Sequence, residues 1–239
     1  MKPSRSLFLL HPAVLLACAL FLSGCGTDES ANIRTPGLHV TFSLEGDATD
    51  TVRCQAVFQV GGGTGTYLSL SSGDSVTCNG APMAEDSNFI GQITYQTLLP
   101  PNPGADYQFD FTRSGEGTYK ANVVLPTPVV VAQPALNQQI VKGTPLTAAW
   151  NPEPARNDDI NLTLSWEAGS TSTTTFRSAK RNDTTTLFSG DQTSSTPNIP
   201  GPWQGEVAFE IEHGGAMPAG LSGRIHAYQR ASVPILLVD

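Results

Sequence analysis

Charged residues are scarce in this 239-residue sequence, and basic residues are the scarcest. Only 14% of the residues are charged, against about 25% in an average soluble domain. The 13 Lys and Arg stand against 21 Asp and Glu, which gives a net charge of −8. Because contacts with phosphate need Lys and Arg, this balance argues against a nucleic-acid-binding protein. So low a charge also argues against a chain kept disordered by charge repulsion.

A helical pattern is missing as well. After residue 37, no window of a dozen residues places apolar side chains at positions i, i+3, i+4 and i+7 between capping residues. Turn-forming residues are abundant instead, with 23 Gly and 18 Pro. We therefore predict almost no helix beyond residue 37, which excludes a helical bundle or a coiled coil.

The first 25 residues have the pattern of an export signal. Lys2 and Arg5 precede a 16-residue apolar stretch, residues 7–22, which is interrupted by His11 and Pro12. That stretch is short for a membrane span, which needs about 20 residues, and it has the flanks of a secretory signal. It ends in the four residues Leu-Ser-Gly-Cys at positions 22–25.

Residues 22–25 resemble the lipobox of bacterial lipoproteins, and the chain resembles the two-domain lipoproteins of Gram-negative bacteria. The resemblance implies that residues 1–24 are a signal peptide and that the Cys25 thiol carries a diacylglyceryl group. Gly26 stands where retention in the inner membrane often uses Asp, so the periplasmic face of the outer membrane is favoured over the inner membrane or the cell surface. The alternative is an ordinary secreted protein. The resemblance implies no activity.

Residues 25–37 are polar and lack any periodicity, so we predict a flexible acylated tether. The bilayer, reached through Cys25, is the first predicted partner. With Cys18 in the signal peptide and Cys25 acylated, Cys54 and Cys78 remain, and two thiols in an oxidising compartment predict a disulfide. A metal pair is the alternative, but no His or third Cys stands at ligand spacing.

Period-two alternation dominates the rest of the sequence and predicts an all-β protein. Strands separated by turn residues occur about every ten residues over 38–126 and again over 129–239, with Pro126-Thr127-Pro128 between the two sets. Each half is long enough to bury its own core. We predict two tandem immunoglobulin-like antiparallel β-sandwiches, one in each half. A single large sandwich or barrel of about 14 strands is the alternative.

One alternating stretch near the C-terminus is a possible binding face. Arg224, His226, Tyr228 and Arg230 share one side of a predicted strand, and Glu206, Glu210 and Glu212 share the outward side of the preceding one. If the two strands pair, acids face bases, and the pattern needs no further explanation than cross-strand pairing. Otherwise the four residues form an exposed recognition face for a protein or glycan partner.

Signals for catalysis or metal binding are weak. Gly73-Asp74-Ser75 has the first block of a serine esterase motif but no downstream Asp-x-x-His, so we interpret it as a hairpin turn. Asp110 and Glu116 are a candidate carboxylate pair for glycan hydrolysis. Two acidic loop pairs, Asp47 with Asp50 and Asp158 with Asp159, are candidate calcium ligands but match no known calcium motif.

These observations give one leading hypothesis and two alternatives. We predict a non-enzymatic lipoprotein that binds a protein or glycan and needs no metal or other cofactor. A structural or assembly subunit of an envelope complex is the first alternative. A carboxylate-dependent glycan hydrolase is the second.

Overall fold

The structure is a computed structural model, and it describes residues 28–47, 50–71, 73–89, 91–151, 158–168, 171–194 and 201–239. Residues 1–24 and Cys25, the predicted signal peptide and acylation site, lie outside the described residues. No helix in the described part of the chain is long and apolar enough to cross a bilayer.

Ten strands form in the first half of the chain. They are β1 (Asp28–Glu29), β2 (Leu38–Gly46), β3 (Val52–Val60), β4 (Thr66–Ser69), β5 (Ser75–Cys78), β6 (Ala81–Pro82), β7 (Ala84–Ser87), β8 (Ile93–Leu99), β9 (Asp106–Arg113) and β10 (Gly117–Val124).

The second half adds eight strands and one short helix. They are β11 (Val131–Gln133), β12 (Gln138–Val141), β13 (Leu146–Trp150), β14 (Asp159–Ala168), β15 (Thr171–Lys180), β16 (Thr185–Phe188), α1 (Gly190–Ser194), β17 (Trp203–Gly214) and β18 (Ser222–Val238). Two 3₁₀ turns, Ser30–Asn32 and Thr35–Gly37, precede β2. The prediction of an all-β, sandwich-like fold with almost no helix is confirmed.

One large sheet runs through both halves. Its main path is β1-β4-β3-β2-β18-β17-β14-β15, and β7, β8 and β12 join it at the sides. A four-stranded sheet, β10-β9-β5-β6, covers it in the first half, and a three-stranded sheet, β11-β13-β16, belongs to the second half. The strand shared by the halves is β18. Its first part pairs in parallel with β2, and its last part pairs in parallel with β12.

Two hydrophobic cores lie along this sheet. The first contains Phe42, Phe58, Phe109 and Phe111, and also Leu221, Ile225 and Ala227 from the C-terminal end of the chain. The second is built around Trp150, Trp166, Trp203 and Phe209. The period-two alternation of the sequence therefore correctly predicts which apolar side chains face the cores. The predicted sandwiches are antiparallel throughout, whereas the structure adds three parallel pairings, β1 with β4, β2 with β18 and β12 with β18.

The prediction that residues 25–37 form a flexible tether is wrong for residues 28–37, which pack against the first sandwich. Arg113 holds this segment through what we call the N-terminal clamp: Ser30, Thr35, Asp74, Arg113 and Glu116. The Arg113 guanidinium is 5% exposed and donates from Nη2 to the Ser30 carbonyl (2.7 Å) and from Nη1 to Thr35 Oγ1 (2.9 Å). Buried donors must find acceptors, so these hydrogen bonds order the polar segment, and Ile33 adds an apolar contact with the first core.

Two carboxylates of the clamp lie beside the Arg113 guanidinium. Asp74 Oδ2 lies 3.5 Å from Arg113 Nε and accepts a 2.6 Å hydrogen bond from the Ser30 hydroxyl. Glu116 lies 3.4 Å from Arg113 Nη1 and accepts a hydrogen bond from the Thr35 hydroxyl. The turn containing Gly73 and Asp74, which the sequence predicts as a hairpin turn, thus also holds the N-terminal segment.

Side chains also hold the two halves together around the predicted boundary. Arg181, which is buried, donates from Nη2 to the Thr127 hydroxyl (2.6 Å) in the Pro-Thr-Pro segment. The His213 ring lies between the halves, with Nδ1 3.3 Å from the Val124 carbonyl and Nε2 3.2 Å from Asp158 Oδ2. The boundary is therefore bridged by polar contacts as well as by β18.

Candidate functional site

A pocket of about 410 Å³ opens on the outer face of the shared sheet where the two halves meet. We call it the junction pocket, and its lining residues are Glu45, Gly46, Asp47, Glu210, Tyr228 and Arg230. They come from the end of β2 and the loop after it, from β17 and from β18. Its volume is in the range of small-molecule sites.

Strand register explains why acids surround Tyr228 and Arg230. Tyr228 lies opposite Glu45 on β2 and opposite Glu212 on β17, while Arg230 lies opposite Glu210. Arg230 also forms an ion pair with Glu206. The strands that carry the predicted face and the acidic stretch therefore do pair, and Arg230 faces acids across them, whereas His226 lies opposite Gly214.

The rest of the predicted face continues along β18 away from the pocket. Arg224 is exposed, whereas His226 is 7% exposed and stacks at a tilt against Tyr228, with ring centroids 4.7 Å apart. The four predicted residues thus occupy successive positions on one face, but only Tyr228 and Arg230 line the pocket. Whether the face binds a partner stays a prediction.

Burial shifts the pKa values of the two aromatic groups on this face. Burial, with the nearby Arg224 charge, lowers the pKa of His226 below its ordinary value of 6.5, while Glu212 opposes this shift. Burial raises the pKa of Tyr228, and the Glu212 carboxylate raises it further. Near neutral pH the imidazole is therefore uncharged and the phenol keeps its proton, so both are hydrogen-bonding groups.

The floor of the pocket depends on a glycine. A Cβ added at Gly46 would overlap the side-chain amide of Gln229, which is 4% exposed and lies beneath the outer face. Gly46 pairs with Gln229 in the parallel ladder. A larger residue at position 46 would have to displace that amide, so glycine leaves the space that the Gln229 side chain occupies.

The junction pocket combines acceptors, a cation and a ring. Carboxylates from Glu45, Asp47 and Glu210 accept hydrogen bonds, Arg230 donates them, and Tyr228 offers an aromatic ring with a polar tip. A ligand rich in hydroxyl groups can use all three kinds of contact. Within the described residues, no three His, Cys, Asp or Glu side chains are grouped so that they could hold a metal ion.

The other candidate residues are engaged elsewhere. Asp110 lies 3.7 Å from Lys120 Nζ and accepts a hydrogen bond from Gln108, while Glu116 belongs to the N-terminal clamp. Asp159 lies 2.6 Å from Lys180 Nζ. The structure therefore does not bring the proposed hydrolytic pair together in the junction pocket, and it uses Asp159 in an ion pair.

Cys54 and Cys78 face each other across the first core. Both are fully buried, on β3 of the shared sheet and β5 of the covering sheet, and their thiols are free but within hydrogen-bonding reach. The Cys54 thiol and burial together raise the pKa of Cys78 far above its ordinary value. The predicted disulfide, which would join the two sheets, stays a prediction.

Sequence reasoning missed Glu45 and Gly46 as site residues, and it considered Asp47 only as a calcium ligand paired with Asp50. They reach the pocket only because β2 pairs in parallel with β18, some 180 residues away. Nothing in the sequence of either strand indicates this pairing. Arg113 was also missed, although a signal existed. The alternation that places Tyr107, Phe109 and Phe111 inward also places Arg113 inward, and an inward arginine needs buried partners.

No protein-family model and no curated protein matches the chain. Among solved structures, it is similar to the crystal structure of chicken CNTN1 FN1-FN3 domains, at 10% sequence identity and a TM-score of 0.23. The match covers 85% of this chain and 65% of that one, so the chain spans less than two thirds of its length. A TM-score this low supports no shared topology or function.

Proposed function

We propose that the chain is a lipoprotein, anchored through Cys25 to the periplasmic face of the outer membrane, which binds a glycan or protein without catalysing a reaction. The observation that carries the proposal is the junction pocket. It joins Tyr228 and Arg230, taken from the predicted binding face, to the carboxylates of Glu45, Asp47 and Glu210 at the meeting point of the two halves.

The order of the N-terminal segment supports a short anchor. Strand β1 begins at Asp28 and pairs with β4, only three peptide links after Cys25. Three links span at most about 11 Å. With an acyl group on Cys25, the first sandwich would therefore lie close to the lipid headgroups.

The chemistry of the pocket favours a glycan over a protein segment. A sugar offers hydroxyl donors to the carboxylates, hydroxyl acceptors to Arg230 and an apolar ring face to Tyr228. The mixed charge of the lining suits a neutral ligand better than a strongly charged one. A short apolar peptide would find little to bury against among the described residues, since none of those that line the pocket has an aliphatic side chain.

Two arginines on β18 give a matched test of the pocket. A neutral chitin oligosaccharide, which carries the N-acetylglucosamine of peptidoglycan without its carboxylates, is titrated calorimetrically into the protein and into its Y228A, R230E and R224E variants. We expect Y228A and R230E to weaken binding at least tenfold and R224E to leave it nearly unchanged, because Arg224 lies outside the pocket. Equal losses in R224E and R230E would assign binding to the whole face, and binding unchanged in all three would refute the pocket.

The anchor is tested separately by fractionation. Cys25→Ala is expected to move the protein from the membrane to the soluble fraction, and intact mass should show the acyl group only on the unsubstituted protein. A C25A protein that stays with the membrane would contradict the anchor but not the pocket.

One observation favours the alternative role as an assembly subunit. Strand β15 lies at the edge of the large sheet, and among the described strands it pairs only with β14. A long edge of this kind can accept a strand from another chain.

A further inference from the structure

Strand β15 exposes one side of its backbone as far as Ala179, while the Lys180 amide at its end donates to Asp183 Oδ2 (3.0 Å). All ten residues, Thr171–Lys180, pair with β14 without a register shift, and no other described strand pairs with them. Amide and carbonyl groups therefore point away from the sheet along this edge. Such a row is a template for a further strand.

The features that usually protect an edge strand are missing from β15. It has no proline, no glycine and no bulge, and residues 172–175 are Ser-Thr-Thr-Thr, which suit a strand. Its two cations are engaged: Lys180 Nζ lies 2.6 Å from Asp159, and Arg177 donates to Gln192 Oε1 at 2.8 Å. Arg177, the cation beside the centre of the edge, is therefore directed to Gln192 of its own chain.

Phe176 marks the middle of this edge. It lies opposite Thr163 on the outer face of the sheet and is 72% exposed. A large ring on a strand otherwise rich in hydroxyls has no role in the core of this chain. It is the most apolar side chain that an added strand could cover.

We propose that a second copy of this chain pairs with β15, antiparallel and edge to edge, about a two-fold axis at Phe176. This register puts each Phe176 opposite its own counterpart, where two aromatic rings stabilise an antiparallel pair. Along the rest of the strand, each residue is opposite a compatible one: Thr175 opposite Arg177, Thr174 opposite Ser178, Thr173 opposite Ala179 and Ser172 opposite Lys180.

In this register no two like charges lie directly opposite each other, and the two Arg177 side chains, which are diagonal neighbours, each donate to Gln192 of their own copy. Both cations of each copy face hydroxyl side chains of the other. The pairing joins the large sheets of two copies into one continuous sheet, and since the axis makes the contact isologous, the assembly closes as a dimer. The dimer does not depend on the anchor at Cys25 or on the junction pocket.

The first test compares two exposed phenylalanines. Light scattering after size-exclusion chromatography of the detergent-purified protein, over a series of concentrations, should show a monomer–dimer equilibrium. Phe176→Glu puts two carboxylates together on the axis and is expected to weaken dimerisation at least tenfold. Phe89→Glu changes a fully exposed ring in the first half and should leave dimerisation unchanged. Circular dichroism checks that both variants fold.

The second test fixes the register. Phe176→Cys brings two thiols together on the axis, whereas Ser172→Cys leaves them eight residues, or about 27 Å, apart. We expect a disulfide-linked dimer on a non-reducing gel for F176C only, above the background of the unsubstituted protein. Two results would overturn the proposal: an unsubstituted protein that stays monomeric at all concentrations, or crosslinking of S172C equal to that of F176C. A monomer would mean that the edge of β15 is available to a strand of another protein.

Discussion

Arg113 Nη2 donates a 2.7 Å hydrogen bond to the backbone carbonyl of Ser30, 83 residues earlier in the chain. The guanidinium is almost completely buried, and it contacts two carboxylates as well as this carbonyl. One side chain on β9 therefore orders the polar segment that precedes β2.

Removal of the Arg113 charge should destabilise the protein strongly. Arg113→Met leaves Asp74, which is 5% exposed, without its cation, and breaking such a buried pair costs about 3 kcal/mol of unfolding free energy. Arg53→Met is the control, because Arg53 and Glu45 form an exposed pair 3.6 Å apart, worth less than about 1 kcal/mol. Urea denaturation measures both. Similar losses in the two variants would contradict the structural role of the clamp.

The parallel pairing between β2 and β18 should depend on Gly223. Its φ is +135°, and an added Cβ would overlap the carbonyl oxygen of Val40, its partner in the ladder. Gly223→Ala is therefore expected to lower the unfolding free energy by about 3 kcal/mol. Gly214→Ala is the control: an added Cβ at Gly214 meets nothing within 4 Å, so this variant should change the unfolding free energy by less than about 0.5 kcal/mol. Chemical denaturation that shows equal effects would argue against this close approach.

Stability should fall below about pH 6.5 because of His226. Burial lowers the pKa of this histidine in the folded protein, so the unfolded chain binds a proton more readily as the pH falls through 6.5. The stability that uncharged His226 contributes is lost as the pH falls from 6.5 toward the lower pKa that this histidine has in the folded protein. His226→Gln should therefore lose less stability than the unsubstituted protein between pH 7.5 and pH 5.5. Urea midpoints at the two pH values test this, and an equal loss would contradict it.

Cys54 and Cys78 should form a disulfide when the protein is exported. The thiols already lie side by side, and the bridge would close a loop of about 25 residues, worth roughly 3.5 kcal/mol on the chain-entropy model. The intact mass of the native protein should be 2 Da below that of the reduced protein. In the reduced folded protein, both thiols should resist alkylation because they are buried and the pKa of Cys78 is raised. Two free thiols in the native exported protein would refute the pairing.

The sequence predicts the strands better than their pairing. Alternation correctly places Val207, Phe209 and Ile211 in the core, because a half-buried strand repeats every two residues. Alternation does not predict how far a strand extends or which strands it pairs with. The predicted strand that carries Arg224 and Arg230 continues to Val238, although Pro234 normally argues against a central strand. Pro234 is accommodated because β2 pairs only with residues up to Gln229 and β12 only from Ile235 onward.

The candidate site is predicted only in part, for the same reason. Tyr228 and Arg230 belong to one alternating strand and are visible locally, whereas Glu45 and Asp47 join them only through a parallel pairing across the chain. The N-terminal clamp escaped prediction because its segment is polar. Residues that accept hydrogen bonds from a buried arginine have no characteristic hydropathy pattern in the sequence.

The presence of Leu221, Ile225 and Ala227 in the first core has a consequence for biogenesis. A polypeptide emerges from the ribosome, or from a translocation channel, with its N-terminus first. The earlier half of this one therefore keeps part of its apolar interior uncovered until residues 221–227 have emerged. During that interval a holding chaperone would bind the early half, and a truncation before residue 221 would damage the half that was made first.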